Sequence, residues 1–128
     1  MDIRKKQKAV VAALEDVKAR DIAAFNVTHL TSLFDRVIIA TADSARQTKA
    51  LAVHLRERMK ALGERVHGVE GEAGGEWVLI DLGDTVVHIM QPAIRQYYNL
   101  EELWGEPAPR AKRATAKPKP KRVGQPAA

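Results

Sequence analysis

Apolar residues recur at three- and four-residue steps through Ile3, Val10, Leu14 and Val17, which predicts an amphipathic helix over residues 2–18. Arg4, Lys5, Lys6 and Lys8 crowd its first turns, where cations oppose the helix dipole, so that end is expected to fray or to make a contact. Residues 22–27 (IAAFNV) then read as a strand, and residues 29–34, with Thr31 and Ser32, as a connection. The run RVIIAT at Arg36–Thr41 is continuously apolar, as a central strand covered on both faces should be. Asp43-Ser44 opens a second helix, with Ser44 and Gln47 at capping-box spacing. Thr48, Ala52, Leu55, Met59 and Leu62 share its inner face, and Gly63 closes it. Residues 65–69 form a weaker strand, and EGEAGG at 70–75 an acidic turn.

Two β-forming runs follow, Trp77 to Leu82 and Thr85 to Met90, separated by Gly83-Asp84, which is the signature of a hairpin. Alternation turns Val78, Ile80 and Leu82 toward the core and leaves Trp77, Leu79 and Asp81 on the more exposed side. Pro92 fits the first turn of a closing helix that runs to Trp104. The order of elements predicts an α/β sandwich with a mixed five-stranded sheet packed with helices. The strand at Arg36–Thr41, the capped helix and the strand near Val66 are expected to form a βαβ crossover, right-handed if parallel.

From Gly105 the pattern ends, and five of the six prolines fall among Lys, Arg, Ala and Thr. One domain over residues 1–104 and a disordered basic tail over 105–128 are therefore expected. The tail's charge could touch RNA without reading its sequence, or serve solubility alone. The net charge of +5 hides a division. Residues 1–65 carry 13 basic and 8 acidic side chains (+5), residues 66–104 carry 1 and 7 (−6), and the tail carries 7 and 1 (+6). An acidic half disfavours a phosphate backbone and favours a basic protein partner. With no cysteine, disulfides and thiolate metal sites are excluded. No apolar run is long enough to span a membrane, the N-terminal stretch has no signal-peptide pattern, and a cytoplasmic protein is expected.

Candidate chemistry is sparse. His29, His54, His67 and His88 have no metal-site spacing, no serine sits in a nucleophile elbow, and Gly71, Gly74 and Gly75 precede no Lys-Ser/Thr pair. No cofactor or metal is expected. Asp81 and Asp84 form a candidate carboxylate pair, although turn chemistry explains both. Trp77, Tyr97, Tyr98 and Trp104 are four of the six aromatic residues. They suit either packing of the last helix on the sheet or the hot spots of a protein interface.

Several ordered stretches together resemble the ribosomal silencing factor, or Iojap, family across residues 1–104. They are Asp21-Ile22, FDRVIIATADSARQ (34–47), VEGE (69–72), W-x-x-x-D-x-G-D-x-x-V-H (77–88) and R-x-x-Y-x-L-E-x-L-W (95–104). The basic Pro-rich tail lies outside the family pattern, so nothing is carried over to it. The resemblance implies binding to the large ribosomal subunit, chiefly to large-subunit ribosomal protein fourteen. The bound factor would block subunit association and lower translation when nutrients are scarce. It also implies a nucleotidyltransferase-like core. Its active site is missing, since Arg36–Thr41 carries no carboxylate and Ala42-Asp43-Ser44 offers one. A residual nucleotidyltransferase and an RNA-binding module working through the tail are the rival expectations. The expected protein-binding residues are Glu70, Trp77, Asp81, Asp84, His88 and Tyr98, with Arg95 bracing the acidic side chains from within. The Asp81 and Asp84 carboxylates are expected to be solvated, so that reversing both costs little stability. A sheet edge leaves room for a homodimer.

Overall fold

A computed structural model describes residues 1–104 of the chain; the expected tail lies outside the described residues. The elements are α1 (Ile3–Asp16), β1 (Arg20–Asn26), β2 (Arg36–Thr41), α2 (Ala45–Ala61), β3 (Gly68–Glu70), β4 (Trp77–Asp81), β5 (Thr85–Met90), α3 (Pro92–Tyr98) and α4 (Leu100–Trp104). The sheet order is β1-β2-β5-β4-β3. Two antiparallel units, β1–β2 and the meander β3–β4–β5, are joined along one parallel seam, β2–β5. The mixed five-stranded α/β architecture is the one the pattern predicts.

The crossover is more open than expected. β2 and β3 run in the same direction, but β5 and β4 lie between them, so α2 spans the sheet instead of linking neighbours. β3 keeps only three residues, because the run from Arg65 has little apolar surface to hold it at an edge.

α2 begins as its sequence dictates. Ser44 Oγ accepts from the Gln47 amide at 3.0 Å, but Gln47 Oε1 reaches back to the amide of Asp43 instead of Ser44, at 2.8 Å. The Gln47 amide group also donates to the carbonyls of Val17 and Lys18, tying the start of α2 to the end of α1. The two helices are therefore antiparallel, and Asp16 meets His54 at 3.0 Å. The closing helix is not continuous. Asn99 adopts the left-handed conformation (φ 48°) that commonly ends a helix, and α4 starts anew with Glu101 and Glu102 in its first turn.

α1 and α2 cover one face of the sheet, burying Val10, Leu14, Leu51, Leu55 and Met59 against Ile38, Val78, Ile80, Val87 and Ile89. The other face buries Phe25, Val27, Val37, Ile39 and Met90, with Phe34, Trp77, Ile94, Leu100 and Trp104 packed over them.

Candidate functional site

The strand register decides what shares the second face. One row across the sheet reads Glu70, Leu79, His88, Ile39, Ala23, and the next reads Gly68, Asp81, Val86, Val37, Phe25. On the β1–β2 side these rows lie under α3 and α4. On the β4–β3 side the face opens: Leu79, Asp81 and His88 are half-buried and Glu70 is exposed. A shallow groove of about 280 Å³ lies here, lined by Glu70, Gly71, Trp77 and Leu79.

Trp77 sits at the border between the covered and open parts. Its ring packs on Tyr98 at 4.8 Å between centroids, and its Nε1–H donates to His88 Nδ1 at 3.0 Å. Tyr98 in turn meets Tyr97 edge-on at 5.0 Å, and Tyr97 is 81% exposed. A histidine that accepts at Nδ1 is neutral with its proton on Nε2. Burial pushes the His88 pKa down to about 4, which keeps that acceptor available to Trp77 throughout the neutral range. His88 therefore holds the indole in place.

The two aspartates of the hairpin have different roles, and the structure does not bring them together as a pair. Asp81 Oδ1 accepts from the Gly83 amide at 2.9 Å, pinning a turn whose glycine stands at φ +90°, where an added Cβ would meet the His67 ring at 2.8 Å. Asp84 takes part in the other side of the molecule. Its carboxylate binds Lys6 Nζ of α1 at 2.8 Å, and its carbonyl accepts the amides of Asp35 and Arg36 at 2.8 and 3.1 Å. Asp84 keeps 43% of its side chain exposed, but its bond to Lys6 corrects the expectation that reversing its charge costs little stability. Lys6, whose side chain is 5% exposed, also binds Glu64 at 3.0 Å and the Leu82 carbonyl at 2.9 Å. Burial opposes its charge, yet the hydrogen bonds it donates to Asp84 and Glu64 prevail and hold the ammonium pKa above its ordinary value.

Arg95 braces an acid, but not one in the hairpin. Its Nε and Nη2 donate to Glu101 Oε2 at 3.0 and 2.7 Å, and Nη1 donates to Thr41 Oγ1 at 2.8 Å. Nη1 also reaches the carbonyl of Asp21, which stands at φ 50° where the β1–β2 register shifts. Arg95 thus fastens α3 and α4 over the ends of β1 and β2. Asp43, the one carboxylate after β2, is held by Arg20, whose Nε lies 3.0 Å away and whose hydrogen bond keeps the Asp43 pKa low. Among the described residues no three His, Asp or Glu side chains converge to hold a metal ion.

Leu79 and Tyr97 belong to the open face and were not among the expected residues. The signal for Leu79 was its place between Trp77 and Asp81 on one strand face. For Tyr97 it was adjacency to Tyr98 in a helix that buries nothing.

The motif letters that carried the resemblance are hydrogen-bonded partners in space: Trp77 with His88, Asp81 with Gly83, Arg95 with Glu101. A family model described as "Ribosomal silencing factor during starvation" matches residues 1–127, which corrects the expectation that the tail lies outside the family pattern. The chain belongs to the ribosomal silencing factor family. It is 48% identical over 118 residues to a ribosomal silencing factor of Chromobacterium violaceum, covering 92% of this chain and 97% of that one. It is 35% identical over 104 residues to the chloroplastic protein Iojap of Zea mays, covering 79% of this chain and 44% of that longer protein. A crystal structure from Chromobacterium violaceum superposes with a TM-score of 0.82 at 47% identity, covering 92% of this chain and 95% of that one. Among the described residues no helix is long and apolar enough to cross a membrane.

Proposed function

We propose that this member of the silencing family docks on the large ribosomal subunit through the open part of its second sheet face. The partner is a basic protein there, large-subunit ribosomal protein fourteen, and the bound factor keeps the small subunit away and lowers translation under nutrient limitation. It acts in the cytoplasm by occupying a surface and not by catalysis. One observation carries the reading. A preset Trp77–Tyr98 pair borders a part of the sheet face that no helix covers among the described residues, and that part bears Glu70, Leu79 and Asp81.

The division of labour is physical. A rigid aromatic pair offers affinity at little entropic cost, since Trp77 is already immobilised by Tyr98 and His88. The surrounding carboxylates set orientation and on-rate against a basic surface. Glu70, Trp77, Asp81 and Tyr98 form the contact set, and Leu79 and Tyr97 join it. His88 acts through Trp77, and Asp84 is assigned to the fold. The relatives' name, ribosomal silencing factor, supplies the class of target.

Sedimentation of purified subunits tests the outcome: joined ribosomes should decrease as the protein is added. Pull-down with the isolated basic ribosomal protein tests the surface. Asp81→Lys should lose binding while circular dichroism stays unchanged. A folded Asp81→Lys variant that binds as tightly as the parent moves the interface off this face.

A further inference from the structure

The helical layer on the opposite side carries a charge cluster that helix stability does not explain. Arg4, Lys5 and Lys8 are all exposed in the first turns of α1, and none has an ion-pair partner among the described residues. Cations at a helix N-terminus oppose its dipole, and each typically costs a few tenths of a kcal/mol. α1 has no acidic residue in its first turn to offset them beyond the Asp2 cap. Lys6 is different, because it is buried on Glu64 and Asp84. Lys6 and the Met1 amine both bind Glu64, at 3.0 and 3.6 Å, which fixes the start of α1 beside the end of α2. Arg58 lies one turn beyond His54, and His54 meets α1 at Asp16. Arg58 is therefore level with the middle of α1, and its exposed side chain has no ion-pair partner among the described residues.

Three exposed cations in the first turns of α1, with Arg58 further along the neighbouring antiparallel helix, thus give the helical layer a basic patch on the side away from the acidic sheet face. We infer that this patch binds the phosphate backbone of double-stranded RNA. The choice of RNA among polyanions rests on the ribosomal reading, while the patch itself does not. Opposite charges on opposite sides fit a protein wedged between a basic protein and nucleic acid. Binding through charge alone would hold the backbone without reading bases.

The test is fluorescence anisotropy of a labelled RNA hairpin against the full chain over a salt series. Three variants are compared with the parent: Arg4→Gln/Lys5→Gln/Lys8→Gln together, the same triple with Arg58→Gln, and a chain with its tail Lys and Arg between 110 and 122 changed to Gln. The triple variant should bind at least about tenfold more weakly at low salt, with the log–log salt slope reduced by about two to three. Adding Arg58→Gln should reduce the slope by about one more. The tail variant should keep the share of the slope that the patch supplies. Thermal melting separates binding from folding. Removing three dipole-opposing charges should leave Tm unchanged or raised, whereas a lower Tm would make them structural and overturn the inference. Salt slopes equal in parent and triple variant overturn it too, leaving the tail as the RNA contact. So does a parent that self-associates at low salt while the triple variant stays monomeric with equal RNA affinity, which would assign the patch to the acidic face of a second copy. Binding to the basic ribosomal protein is measured apart, so either proposal can fail alone.

Discussion

The two faces of the sheet are built from the same strands but covered differently. Under α1 and α2, branched and small apolar side chains from every strand interlock with helix residues that are fully buried. On the other face, among the described residues, the β1–β2 half alone is roofed, by two short helices with no fully buried residue. The lesson is that burial is segregated by side, and the proposed docking would use the side that burial leaves free. The closed face can hold the fold while the open one keeps an aromatic pair and two carboxylates in contact with water. The two hairpin aspartates mark the division, one facing each way.

The largest effect should come from the closed face. Leu55→Ala removes a fully buried side chain from the centre of α2 and should cost about 2–5 kcal/mol in denaturant unfolding. Docking of the remaining folded protein should be unchanged. Asp84→Lys should follow, at about 2–4 kcal/mol, because it sets a cation against the buried Lys6 ammonium. Asp81→Lys should cost less than about 1 kcal/mol, since that carboxylate holds one turn amide at a half-exposed site. Equal costs for the two would erase the distinction between the faces.

Acid should reach the open face through His88. Its folded pKa is about 4, below the ordinary 6.5, so the unfolded chain binds the extra proton between those values. The stability linked to this group is complete above about pH 6.5 and is lost as pH falls toward 4, amounting to about 2–3 kcal/mol. Urea melts from pH 7 to 4.5 should show that slope in the parent and a shallower one in His88→Leu. Tyr98→Ala should also cost little stability, about 1 kcal/mol or less for a side chain 46% exposed. It should still weaken docking at least about tenfold, read by surface plasmon resonance.

Local features were legible in the sequence. The apolar run of β2, the Ser44 cap and the Gly83 turn each depend on neighbours a few residues away, and each stands where the pattern puts it. Alternation likewise sorted Val78, Ile80 and Leu82 from Trp77, Leu79 and Asp81. What escaped depends on distance along the chain. Lys6 and Asp84 are 78 positions apart, and no local pattern announces that a lysine in a basic run will be buried. Strand neighbours escaped for the same reason, since β3 and β2 could pair or not with equal local propensity. The break at Asn99 had a local cue, a left-handed-tolerant residue before two acids, which the apolar continuity to Trp104 masked.

The parallel seam also sets the timetable of folding. Arg36 pairs with Thr85 and Thr41 with Met90, so the middle of the sheet waits on residues 49 positions further along. Each antiparallel unit can zip early, but neither buries its shared edge alone. During synthesis the chain must be extended to Met90 before its centre can close, and a nascent fragment ending in α2 would present β2 as an open apolar edge. Truncations at Ala61 and at Trp104 should therefore differ sharply in protease resistance, with the shorter one degraded as an unfolded chain.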